Sequence, residues 1–167
     1  MSDLYSEFLV KKQSTGKDMA VKIGMLALTV VAVFSGIMIH PLLFIAAIGL
    51  GVADYFVFPN LDLEYEYLYV NGELDIDRIA AKTKRKKVKS LDTGKMEILA
   101  PVKSHRMDYY NNNSRLKVLD YSSQDPSHKI YAMIIPDGQE LCKVLLEFDE
   151  KMLSNIQKSN PRKVFMD

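Results

Sequence analysis

The feature that most constrains this chain is an apolar stretch from Val21 to Phe58, interrupted only at His40-Pro41. An unbroken helix over that stretch would run roughly 57 Å at about 1.5 Å per residue. A bilayer's hydrocarbon core is about 30 Å thick. The stretch therefore reads as two membrane-spanning helices, Met19–Ile39 and Pro41–Phe58, joined by a tight turn. Pro41 suits the first turn of a helix, where its missing N–H has no intrahelical partner anyway. The turn must meet water or headgroups, which places it at the far interface. Gly51-Val52-Ala53 has the small residues of a signal-peptidase site, but a signal peptide's apolar region is only about 7–15 residues.

Lysines set the expected orientation. Lys11, Lys12, Lys17 and Lys22 flank the start of the first span, and the turn between spans holds no Lys or Arg. Positive residues stay cytoplasmic, so both termini are expected in the cytoplasm. Residues 1–18 then form a cytoplasmic N-terminal segment, 19–58 the hairpin and 59–167 a cytosolic domain. Leu4, Tyr5, Phe8 and Leu9, followed by Lys11 and Lys12, have the spacing of an amphipathic helix on the inner leaflet. The same segment could instead pack on the cytosolic domain.

Two features inside the spans bear on function. Ala47, Gly49, Gly51 and Ala53 let helix backbones approach closely, either within the hairpin or against a second copy or another subunit. Asp54 is the one carboxylate in a span. A charge in the membrane marks a functional candidate, but Asp54 lies about a turn from the cytoplasmic end. There a snorkelling Lys22 is expected to pair with it.

Beyond Phe58 the period changes to alternation. Leu63, Tyr65, Tyr67 and Tyr69 share one strand face against Glu64 and Glu66. Asn71-Gly72 is a strong hairpin signal. Strands are expected at Leu74–Asp77, around Val88, and over 96–102, 115–121, 129–135 and 139–148. In the last, Cys142, Val144, Leu146 and Phe148 face one way. Asp149 then caps a helix with the apolar stripe Met152, Leu153 and Ile156, which Asn160-Pro161 ends. The expected class is α+β.

Seven short strands followed by one helix resemble the pleckstrin-homology-like (PH-like) fold. Tyr65–Asp77 (YEYLYVNGELDID), the basic stretch ending Val88-Lys89-Ser90-Leu91, and the final strand and helix carry the resemblance. The whole chain is also similar to an uncharacterised family of small bacterial two-helix membrane proteins, a domain of unknown function. The resemblance implies a seven-stranded antiparallel β-barrel plugged by its C-terminal helix, carried at a bacterial inner membrane. It implies no activity and no lipid specificity.

Lys82, Lys84, Arg85, Lys86, Lys87 and Lys89 place six basic residues within eight positions. Three readings stay open. The run can be a solvated strand edge that discourages aggregation. It can meet anionic phospholipid, at about 1 kcal/mol per cation near the surface. It can bind an acidic partner protein. Nucleic acid is not expected, because no aromatics interleave with these lysines to form a stacking platform. The acidic residues Asp62, Glu64 and Glu66 could neutralise part of the run from within.

No catalytic chemistry is legible. His40, His105 and His128 share no metal-ligand spacing, and a single cysteine, Cys142, cannot build a cysteine zinc site. Neither a phosphate-binding glycine loop nor a nucleophile elbow is present. The expectation is a non-enzymatic membrane-anchored protein, without metal or cofactor, presenting a PH-like domain to protein or anionic lipid. The alternative is an accessory subunit recognised through its hairpin.

Overall fold

The computed structural model describes residues 4–166, and its first element is a strand, β1 (Tyr5–Lys11), not an amphipathic helix. Ser6 and Val10 are buried and Phe8 half-buried on one face, while Tyr5 and Leu9 are exposed on the other. Period two competes with period 3.6 in this segment. It wins because β1 pairs antiparallel with β2 (Leu63–Val70) along its whole length. Residues 1–3 of the expected N-terminal segment lie outside the described residues.

Between these paired strands the chain makes its helical excursion. Helix α1 (Gly16–Met38) opens with a capping box: the Thr15 side chain accepts from the Asp18 N–H at 3.2 Å, and Asp18 accepts from the Thr15 N–H at 2.9 Å. Helix α2 (Leu43–Leu61) starts two residues after Pro41 and carries Pro59 near its end. The helices pack on each other at Gly36, where an added Cβ would sit 3.0 Å from the Phe44 ring. Both are long and apolar enough to cross a membrane, and only 6% and 11% of their most apolar stretches are buried. The α1–α2 hairpin is thus an insertion into the β1–β2 connection.

The first sheet runs β1-β2-β3-β4, all antiparallel, with β3 at Glu73–Ala80 and β4 at Lys84–Asp92. Asn71 and Gly72 join β2 to β3 with φ of 48° and 103°, the left-handed pair that an Asn-Gly turn supplies. The β3–β4 turn also uses left-handed residues, Ala81 (φ 48°) and Lys82 (φ 58°), with no glycine. A non-glycine residue pays about 1–2 kcal/mol there, and glycine's extra unfolded-state freedom returns about 0.5–1 kcal/mol of that. Ala81→Gly is therefore expected to raise stability by roughly 0.5–1 kcal/mol, read from the urea midpoint.

The remaining strands are β5 (Ile98–Pro101), β6 (Lys117–Asp120), β7 (Ile130–Asp137) and β8 (Glu140–Glu147). They form a second sheet in the order β5-β7-β8-β6. Two expectations are corrected here. The eight strands form two four-stranded sheets that do not close into a barrel, and β6 runs parallel to β8. The connection from β6 to β7, 121–129, reverses the chain and carries it past the β8 position, and the tight β7–β8 turn reverses it again, so β8 inserts parallel to β6.

Helix α3 (Asp108–Asn111) is one turn, and α4 (Glu150–Ser159) is the C-terminal helix. The Asp149 side chain caps α4 by accepting from the Met152 N–H at 2.8 Å. Met152, Leu153 and Ile156 enter the core between the sheets, beside Tyr67, Tyr69, Ile76, Met133, Val144 and Leu146. Cys142 is buried at 1% exposure. Helix α4 also packs on β1, so residues 5–11 belong to the same folded unit as 63–166. The boundary at residue 59 moves accordingly.

Candidate functional site

The β3–β4 hairpin rises beside the end of α2. The Ala81 N–H donates to the Asp62 carbonyl at 2.9 Å, and the Arg78 guanidinium donates to the Asn60 side chain at 2.6 Å. Lys84 holds its ammonium 5.1 Å from the centre of the Tyr55 ring, nearly two turns up α2 from its C-terminus. These contacts hold the hairpin tip against the C-terminal end of α2, with the Lys84 side chain reaching up to Tyr55.

Strand geometry then divides the six cations of the run. A bulge shifts the β3–β4 register, so Lys89 lies opposite Ile76 while Lys87 lies opposite Asp77. Lys87 pairs with Asp75 at 2.6 Å, and Arg85 pairs with Asp77 at 2.6 Å and with Glu66. Lys89 crosses to the second sheet and pairs with Asp137 at 2.6 Å. The Lys89 hydrogen bond holds the Asp137 carboxyl below its ordinary range. Burial would raise Asp75, but the hydrogen bonds from Lys87 and Ser90 outweigh it and leave this carboxyl lowered too. Desolvation, with a hydrogen bond that protonated Glu66 donates to Glu7, raises Glu66 despite Arg85. Lys82, Lys84 and Lys86 are exposed and have no carboxylate partner among the described residues.

The helical hairpin distributes its expected residues differently from the sequence reading. Ala47 is buried against α1 and Ala53 is half-buried. Gly49 and Gly51 face outward, where a Cβ would meet nothing within 4 Å. Asp54 is buried, but its partner is the Thr29 hydroxyl at 2.7 Å and not Lys22. Lys22 sits one turn further toward the helix end, with its ammonium 5.9 Å from the Phe58 ring centre. Gly36 joins Ala47 in the packing and Thr29 supplies the pairing to Asp54, because the rotation of one helix against the other is not written in either helix alone.

One cluster escaped sequence reasoning altogether. Glu147, 6% exposed, accepts from the Ser123 N–H at 2.7 Å and the Ser123 hydroxyl at 2.5 Å. His128 Nδ1 lies 3.0 Å from Glu147 Oε2 and 3.2 Å from Ser123 Oγ. A nucleophilic triad uses both imidazole nitrogens, one for the acid and one for the hydroxyl. Here both partners meet Nδ1, so the group clasps the 122–128 loop to β8. The one signal in the sequence is a carboxylate among Leu145, Leu146 and Phe148. The loop in turn holds the start of the helical excursion: the Gln13 N–H donates to the Ser123 carbonyl at 2.7 Å.

The family model described as "Bacterial PH-like domain (DUF6106)" matches residues 2–166. No curated protein and no solved structure matches the chain. Since that match spans the strands, the helical excursion and the C-terminal helix together, the chain belongs to the DUF6106 family of bacterial PH-like domains, whose function is unknown.

Proposed function

We propose that α1 and α2 cross a bacterial inner membrane as a hairpin and that the PH-like domain meets the anionic cytoplasmic leaflet through Lys82, Lys84 and Lys86. The observation that carries this reading is the pairing pattern at β4. Intramolecular carboxylates occupy Arg85, Lys87 and Lys89, while the three cations left over, Lys82, Lys84 and Lys86, lie in the β3–β4 turn and the start of β4, with Lys84 beside Tyr55. The lysines ahead of and within α1 favour the cytoplasmic side for both termini. Pairing of β1 with β2 requires the N-terminal segment and the domain to share one side of the bilayer. The role is non-enzymatic: the domain is held at the leaflet to bind lipid, and the same face presents it to a protein partner.

The chain has no tryptophan, so Thr83→Trp places a lone emitter at the tip. In bilayers containing both lipids, energy transfer to dansyl-labelled phosphatidylglycerol is expected to exceed that to dansyl-labelled phosphatidylcholine several-fold. Three cations at about 1 kcal/mol each support that preference. Replacing Lys82, Lys84 and Lys86 by Glu should abolish it. Equal transfer to the two lipids in the unreplaced protein sinks the reading, and so does a reporter fused after Asp167 that is active only outside the cell.

A second reading, an accessory subunit recognised in the membrane, is favoured by the open surface at Gly49 and Gly51. Gly49→Leu with Gly51→Leu leaves the α1–α2 contact untouched and blocks a neighbouring helix. Loss of a co-purifying subunit in that variant would support it.

A further inference from the structure

From a second region, built on different strands from the β3–β4 tip, we infer that this protein binds a single-chain anionic amphiphile, a fatty-acid carboxylate or a lysophospholipid, on the outer face of its second sheet. A cavity of about 560 Å³ lies there, between the loop after β5 and the loop before β7. That volume is in the range of small-molecule sites, roughly 300–1,000 Å³. Its walls are apolar: Pro101, Val102, Pro126, Ile130 and Leu145. Its remaining lining residues are Lys103, Ser104, Ser127, His128 and Lys129, with no carboxylate among them.

The polar rim is built for an anion. Lys103 is exposed and has no partner among the described residues. Lys129 spends one donor on the Met166 carbonyl at 2.6 Å and holds its ammonium 5.5 Å from the centre of the Tyr131 ring, which leaves donors for an anion. His128 is fixed through Nδ1 by the buried Glu147 and Ser123, which leaves Nε2 without a hydrogen-bond partner among the described residues. An apolar floor with cations at its edge matches an acyl chain ending in a negative group. A neutral apolar molecule would leave the cations unused, and a multiply charged soluble anion would leave the floor unused.

The position supplies the ligand. The loop that forms one wall also carries Ser123 and Asp125, which bind Gln13 through its N–H at 2.7 Å and its side chain at 3.4 Å. Gln13 lies three residues before α1 begins. The groove is therefore coupled to the point where the chain enters its helical hairpin, and, on the reading that this hairpin crosses a membrane, it lies within reach of amphiphiles leaving the bilayer. The site itself does not require the tip lysines, and its test does not depend on them.

The experiment uses the full chain in lipid nanodiscs containing a palmitic acid with a diazirine near its methyl end. Photolabelling mapped by mass spectrometry is expected in 101–104 and 126–130. Lys103→Glu with Lys129→Glu should cut that labelling at least tenfold, and so should Leu145→Trp, which fills the floor without changing charge. The uncharged alcohol of the same chain should label at least tenfold less. A lysophosphatidylglycerol carrying the same diazirine distinguishes the two sources: whichever probe competes at lower concentration is the preferred one. Labelling confined to α1 and α2, or equal labelling by acid and alcohol, overturns the inference. A photoreactive residue at Ser127 that captures a second copy or another polypeptide instead of lipid also overturns it and assigns the groove to protein.

Discussion

A chain that starts at Pro59 will not fold cooperatively, whereas one that joins Lys12 to Leu63 through Asn-Gly, omitting residues 13–62, will. The first version keeps every strand the alternation pattern announces and loses β1. It thereby uncovers the face that Val10 (3% exposed) and Phe8 cover, including the Phe8–Tyr67 ring contact at 6.3 Å. Burying a side chain of that kind contributes about 1.5–3 kcal/mol, so losing two costs on the order of 4 kcal/mol. Small domains have only about 5–15 kcal/mol in total. The deletion also strips the β2 edge of its partner, which invites aggregation. The second version replaces the helical excursion by a two-residue turn at the point where the Lys12 N–H already meets the Leu63 carbonyl at 3.0 Å. Urea unfolding followed by circular dichroism separates the two. A cooperative transition in the Pro59 chain would show that β1 is dispensable.

Glu147→Ala should destabilise the full chain by about 2–4 kcal/mol. The substitution leaves the buried Ser123 N–H without its acceptor and the hydroxyl with only His128 Nδ1, and a buried unsatisfied polar group costs about 1–3 kcal/mol. Glu147→Gln keeps one acceptor oxygen and should fall between the two. The signature is local as well as global, because the 122–128 loop loses its clasp to β8. Limited proteolysis should cut first within that loop, and the Gln13 contact should loosen with it. A urea midpoint unchanged from the original, with no new cleavage, would mean that Glu147 carries none of this load.

Much of the β domain was legible because its signals are local. Asn71-Gly72, the Tyr65/Tyr67/Tyr69 alternation, the Asp149 cap and the Met152/Leu153/Ile156 stripe each act within a few residues, and each is where the pattern places it. The N-terminal strand was misread because seven residues fit both periods, and only the free edge of β2 decides between them. The basic run looked like one patch of six charges in sequence. In the fold it is three ion-paired residues and three unpaired lysines, since a strand alternates and a bulge inverts the alternation partway. The His128–Glu147–Ser123 clasp joins residues from a loop and a distant strand, and no spacing rule reaches that far.

Two apolar helices, a turn between them, and a succession of amphipathic strands closed by a capped helix are readable along the chain. Those follow from the periodicity of side chains along one chain. That the helices interrupt a β-hairpin, that the sheets stay open, that Thr29 and not Lys22 meets Asp54, and which lysines of the basic run lack a carboxylate among the described residues emerge from the folded arrangement alone. Pairing across strands and rotation between helices are set by the joint packing of distant segments, and that energy belongs to no local stretch of residues.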